Sequence, residues 1–216
     1  MNYQAVFFDF DYTLGDATDA ILAGFTYGMG ELGYPAPERE TVRQTVGMVL
    51  EDAYTALSGD STTQGRARFR ALFSQVARPM QAQGVPLFPG ADELLRALHG
   101  AGIVTAVVST KHTPTLRDIL AGHGLDDVLA LILGGDMVTA SKPDPEGLNT
   151  AMARLDLTPG QVLFCGDTLI DAETAQRAGV DFAAVLNGTT PGEAFFAFPH
   201  VHLAPDLTEL HAWLAV

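Results

Sequence analysis

Cysteine and lysine are almost missing from this chain of 216 residues, which holds one cysteine, Cys165, and two lysines, Lys111 and Lys142. A single thiol excludes an internal disulfide. Its place in the apolar run Val162-Leu163-Phe164-Cys165 fits a buried group in a reduced, cytoplasmic protein. Arginine serves as the ordinary cation here, so each lysine stands out as a compact point charge where arginine would offer a broad fork. Basic charge is scarce too: 12 Lys and Arg face 26 Asp and Glu, a formal net charge of −14. Such a chain is not a nucleic-acid binder, which needs basic patches, and anionic membranes repel it. No apolar run approaches the roughly 20 residues that cross a bilayer, and Met1-Asn2-Tyr3-Gln4 lacks the basic start of a signal peptide.

What is present points to a packed protein. Apolar residues make up 47% of the chain, which excludes wholesale disorder, and the length is enough to bury a proper core. Short continuous apolar runs, Ala5–Phe8, Ile103–Val108, Ala130–Leu133, Val162–Cys165 and Phe182–Leu186, read as fully buried strands. Amphipathic stretches separate them, at 91–99, 145–155 and 171–178, the last closed by Gly179. Thr158-Pro159 reads as a helix N-cap followed by proline. This alternation predicts an α/β fold, a Rossmann-like parallel sheet covered on both faces.

Residues 18–83 break the alternation. They lack strand-like runs and show helical spacing, as in Ile21, Leu22, Phe25 and Met29, or Phe69, Leu72, Phe73 and Val76. The reading is an all-helical insertion of about four helices, residues 16–85, set into a core formed by 1–15 and 86–216. Gly15-Asp16 and Val85–Gly90 are the two linkers, and two linkers invite hinge motion. Asp16 is expected to cap the first inserted helix.

Four polar segments end apolar runs: Asp9-Phe10-Asp11-Tyr12-Thr13, Ser109-Thr110, Lys142-Pro143, and Gly166-Asp167 with Asp171. In a parallel sheet all four gather at the carboxyl edge, where ligands bind. Residues i and i+2 share one strand face, so Asp9 and Asp11 are expected to converge. Paired carboxylates repel unless one protonates or a cation intervenes. With Asp167 and Asp171 they form an all-oxygen acidic nest suited to Mg²⁺. Ser109 and Lys142 supply the hydroxyl and ammonium that hold phosphate oxygens. Together they describe a phosphoryl-transfer site.

On these segments the chain resembles the haloacid dehalogenase superfamily, in the branch of phosphoglycolate-phosphatase-like hydrolases with a helical cap after the first strand. The resemblance rests on Asp9–Leu14, Val108–Lys111, Lys142–Glu146 and Gly166–Asp171, four motifs in order that span nearly the whole chain. It implies that Asp9 is the nucleophile and Asp11 the acid and base. It implies Mg²⁺ held by Asp9, by the Asp11 backbone carbonyl and by Asp167. Asp171 orients the metal's water or Lys142, while Ser109, Thr110 and Lys142 grip the phosphoryl group. The implied activity is a phosphatase for a small phosphorylated metabolite, in a monomer or homodimer. A phosphosugar mutase and a non-catalytic phosphoacceptor module are the alternatives.

Tyr12 stands where this branch usually has glycine and puts the identity of the substrate in doubt. Tyr12, Gly47 in the loop 46–49, and Lys111 are candidate substrate contacts, with Arg43 as a weaker one beside a solvated-face reading. Thr13 is expected to brace its own turn. His200-Val201-His202 reads as an ordinary strand face and not a metal pair, and Phe195–Pro199 as a run tucked under the core.

Overall fold

The computed structural model describes residues 3–216; Met1 and Asn2, counted above with the core, lie outside the described residues. Six parallel strands stand in the order β3-β2-β1-β4-β5-β6: β1 Ala5–Phe8, β2 Val104–Val108, β3 Leu131–Leu133, β4 Val162–Gly166, β5 Asp181–Val185 and β6 His202–Ala204. Five match the apolar runs to within one residue at each end. The sixth holds His202 of the stretch read as a strand face.

The central strand shows why continuous apolar runs suit this sheet. Alternate residues of β1 enter opposite cores: Val6 and Phe8 join one cluster, Ala5 and Phe7 the other. All four are fully buried, and each phenylalanine contributes about 1.5–3 kcal/mol by leaving water. Helices α5 (Ala91–Gly100), α6 (Thr113–Gly122) and α9 (Leu207–Leu214) cover the first face, while α7 (Glu146–Arg154) and α8 (Leu169–Ala178) cover the second. Gly179 closes α8 with φ +71°. Thr158 and Gln161 form a capping box, but it opens a single 3₁₀ turn at Pro159–Gln161 and not an α-helix.

Between β1 and α5 run four helices: α1 Thr18–Glu31, α2 Arg39–Arg43, α3 Leu50–Ser58 and α4 Thr63–Gln83. Phe25, Tyr54, Phe69 and Phe73 pack ring against ring among them, with Tyr54 and Phe69 stacked at 4.4 Å. The two connections to the sheet meet: Phe88 N–H donates to Leu14 O, and Asp16 N–H to Pro86 O, each at 2.9 Å. The N-cap of α1 is Ala17; Asp16 stands one residue earlier, where Oδ1 accepts the Thr18 N–H at 2.9 Å. Its carboxylate does a cap's work from outside the cap position.

Candidate active site

The strand order reverses between β1 and β4, and their carboxyl ends open the crevice in which open α/β sheets bind ligands. Phe8 pairs with Cys165 in register, so Asp9 and Asp167 emerge side by side. The Asp9 N–H still donates to Cys165 O at 2.9 Å. Asp171 reaches the same place from the first turn of α8. There Thr168 Oγ1 accepts the Asp171 N–H at 3.2 Å, and Asp171 Oδ2 accepts the Thr168 N–H at 3.1 Å and its hydroxyl at 2.6 Å. The helix cap thereby fixes a carboxylate in the site. Oxygens of buried Asp9, Asp167 and Asp171 lie within 4.8 Å of one another.

Two glycines make this packing possible. A Cβ at Gly188 would fall 2.1 Å from Asp167 Oδ2, and one at Gly166 would fall 2.5 Å from Asp171 Cβ. Asp167 Oδ1 also accepts the Thr13 hydroxyl at 3.1 Å, and Thr13 O accepts Asn187 Nδ2 at 3.2 Å. Thr13 thus ties its loop to two other loops instead of bracing its own turn. Gly188, Asn187 and Thr168 carry no motif that the sequence reading could use; β4 and β5 bring them in.

The chain turns after Phe10, whose carbonyl accepts from Leu14 N–H at 2.9 Å and Gly15 N–H at 3.0 Å. Asp11, on that turn, stays close enough for its charge to raise Asp9 but stands outside the group of three whose oxygens lie within 4.8 Å of one another. Its Oδ2 lies 3.1 Å from Lys111 Nζ, which donates on its other side to Gln81 Oε1 of α4 at 3.3 Å. Lys111, nearly buried, is neither solvated nor free. Lys142 Nζ donates to Asp171 Oδ1 at 2.5 Å and lies 3.0 Å from Asp9 Oδ1. Ser109 and Lys142 line one small recess, and Thr110 lines both that recess and a larger cavity beyond Asp11.

Four carboxylates here face two ammonium groups, which leaves two negative charges in excess. The titration of the site reflects it. Burial, then the Asp171 and Asp11 charges, raise Asp9 to about 6 despite Lys142. Burial and the charges of Asp171 and Asp9 hold Asp167 well above the usual carboxylate range. Burial alone would lower Lys142, but Asp171 and Asp9 outweigh it and raise it. Asp11 Oδ1 is buried without a hydrogen-bond partner, and Asp9 Oδ1 makes no well-aligned hydrogen bond, its nearest cation being Lys142 Nζ at 3.0 Å. An all-oxygen donor set with an orphaned acceptor and a deficit of positive charge fits a hard divalent cation.

Other candidates fall elsewhere. Tyr12 is buried; its hydroxyl lies 2.7 Å from Thr18 Oγ1 and accepts Arg43 Nε at 3.3 Å, with the guanidinium over its ring. Arg43 is therefore not simply solvated but held between Tyr12 and Glu40. Gly47, at φ +96°, lines the larger cavity and backs onto Thr168. His202 bonds Glu209 at 2.7 Å and stacks on Trp213, while His200 Nδ1 lies 2.9 Å from Phe198 O. Phe195 is buried but Phe196 is exposed, so the run is only half tucked in. Cys165 is fully buried and its thiol pushed up by that burial. No described helix is long and apolar enough to cross a membrane.

The sequence pattern of the haloacid dehalogenase-like hydrolases matches residues 6–185. A phosphoglycolate phosphatase of Vibrio parahaemolyticus is 31% identical, over 99% of this chain and 96% of its own. A phosphoglycolate phosphatase of Salmonella typhi is 29% identical, over 89% and 84%. A crystal structure described as a haloacid dehalogenase-like hydrolase from Bacteroides fragilis superposes with a TM-score of 0.93 at 35% identity, covering 96% of this chain and 99% of that one. Sequence pattern, fold and relatives agree: the chain belongs to the haloacid dehalogenase-like hydrolase family, where it stands with the phosphatases.

Proposed function

We propose that this enzyme is a Mg²⁺-dependent phosphatase that hydrolyses the monoester of a small phosphorylated metabolite through a phosphoryl group carried on Asp9. The observation that carries the reading is the excess of buried negative charge around Asp9, where one ammonium, Lys142, faces the Asp9, Asp171 and Asp167 carboxylates. Asp9 and Asp167, with the Asp11 backbone carbonyl, would hold Mg²⁺, which when bound offsets phosphate charge so that a carboxylate can approach phosphorus. Lys142, Ser109 and the backbone at Thr110 grip the phosphoryl oxygens. Asp171 fixes the Lys142 ammonium through their 2.5 Å bond.

Asp9 attacks phosphorus in line as the ester bond opposite breaks. Asp11 gives its proton to the departing alkoxide, then takes one from the water that cleaves the aspartyl phosphate. Residues 16–85 act as a cap on the core of 1–15 and 86–216, closing for the first step and admitting water for the second. Phosphoglycolate is the reference substrate, because similar proteins bear that name. A cytoplasmic setting belongs to the same reading, and accords with a lone buried thiol and a metabolite substrate.

The test is phosphate release from a metabolite panel with Mg²⁺, with chelator, and by Asp9→Asn. Release that stops with chelator, returns with Mg²⁺ and vanishes in Asp9→Asn supports the proposal. Undiminished turnover by Asp9→Asn refutes the nucleophile.

A further inference from the structure

Beyond Asp11 a cavity of about 120 Å³ runs into the helical segment. Asp11, Thr110 and Lys111 form its neck; Ile21 and Phe25 of α1, Met48, and Phe73 and Ala77 of α4 supply apolar wall. Because Asp11 lines it, the cavity receives whatever leaves phosphorus when Asp11 donates its proton. Two of the three cations around it are committed. Arg70 is clamped by both oxygens of Glu51, and its Nη1 lies 2.8 Å from His112 Nε2. Burial and the Arg70 charge lower the His112 pKa, which keeps the imidazole neutral. Lys111 is shared between Asp11 and Gln81, while Arg78 lines the cavity from an exposed position and has no ion pair among the described residues.

A carboxylate or polyol placed against the apolar wall, away from Arg78 and the hydroxyls of Thr45, Ser74 and Thr115, would lose its hydration with few partners in return. An apolar group would gain. A cavity of roughly 150 Å³ lined by Leu, Ile and Phe takes a benzene ring, so the apolar part of this one suits about four to six carbons. We propose that the leaving alcohol is apolar beyond its ester oxygen, an alkyl or aryl alcohol of that size. The proposal rests on the phosphatase reading and specifies its substrate class. The P–O ester bond breaks as phosphorus bonds an Asp9 oxygen, and the alkoxide takes the Asp11 proton. Water then attacks phosphorus, returns a proton to Asp11 and frees orthophosphate and the Asp9 carboxylate.

The experiment measures phosphate release by the full chain with Mg²⁺ from n-alkyl phosphates, ethyl to heptyl, beside phenyl phosphate, phosphoglycolate and glycerol 3-phosphate. kcat/KM is expected to rise about fourfold per methylene, which is ~0.8 kcal/mol of burial converted at ~1.4 kcal/mol per tenfold. The rise should stop near five or six carbons, with butyl and phenyl phosphate above phosphoglycolate. Ala77→Val should move the optimum to a shorter chain and Phe73→Ala to a longer one. A flat alkyl series, or phosphoglycolate hydrolysed at least as well as butyl phosphate, overturns the substrate class and leaves the phosphatase standing. Release from no compound, or full release by Asp9→Asn, removes the phosphatase reading itself.

Discussion

The Tyr12 hydroxyl accepts a hydrogen bond from Arg43 Nε at 3.3 Å while the Arg43 guanidinium lies 5.6 Å from the centre of the same ring. One residue of the Asp9 loop is thereby tied to α2, and through Thr18 Oγ1 at 2.7 Å to α1. The backbone at Tyr12 has φ +59°, a left-handed conformation that costs a non-glycine residue about 1–2 kcal/mol. Burial of the ring and these contacts offset that strain. Tyr12→Phe keeps ring and backbone but removes both hydroxyl bonds, for a loss of about 1 kcal/mol. In a chain of this size that is a fall in Tm of roughly 2–4 °C. A thermal melt with no shift would show that the hydroxyl ties nothing.

Lys142 makes a different kind of bond, buried between Asp9 and Asp171. Removing it strands carboxylates away from water, so Lys142→Ala should destabilise the fold by about 3–5 kcal/mol as well as lower kcat. Asp171→Asn keeps the shape and the Thr168 hydroxyl partner but loosens the ammonium. Its kcat should fall by about 10²-fold or more, with KM changed far less. Steady-state kinetics beside circular dichroism separate the two variants. Equal kcat for Asp171→Asn and the native chain would mean that Lys142 needs no positioning.

Legibility in the sequence tracked burial. Strands such as Ala5–Phe8 are buried on both faces, so their apolar runs announce them, and the motif acids follow because strand ends deliver them to one edge. Side-chain direction was harder to read. Asp9 and Asp11 share the spacing of one strand face, yet nothing in that spacing tells that the chain turns after Phe10 and that Asp11 Oδ2 pairs with Lys111. Lys111 and Gln81 are 30 residues apart and meet only because α4 packs on α6. Gly188 shows its purpose only beside Asp167, since a glycine without its neighbour in space reads as a turn.

Asp9→Asn should separate stability from activity. The Asp9 carboxylate is buried, raised to about 6 and surrounded by Asp171 and Asp11 charge. Losing that charge relieves repulsion, while Lys142 keeps Asp171 as its partner. Without Mg²⁺ the variant should melt above the native chain at pH 7, although it releases no phosphate, a trade expected where a site stores strain. A variant that melts lower would mean that the Lys142–Asp9 attraction outweighs the repulsion.

On the proposed reading, metal and proton compete for the same carboxylates. For an acid whose pKa is raised in the folded state, the folded chain holds its proton more tightly than the unfolded chain. Stability is then full below the unfolded value and declines as pH rises through the folded one. For Asp9 the decline runs from about 4 to about 6, and Asp167, also raised by burial, adds to it in the same direction. The metal-free protein should therefore melt at lower temperature at pH 7 than at pH 5, once other groups are matched by an Asp9→Asn control. A bound divalent cation displaces those protons, so Mg²⁺ affinity should fall as the solution is acidified over the same interval. Calorimetry in buffers of different ionisation enthalpy would count the protons released at pH 6. A pH-independent Mg²⁺ affinity with no proton release would show that the carboxylates around Asp9 are not what binds the ion.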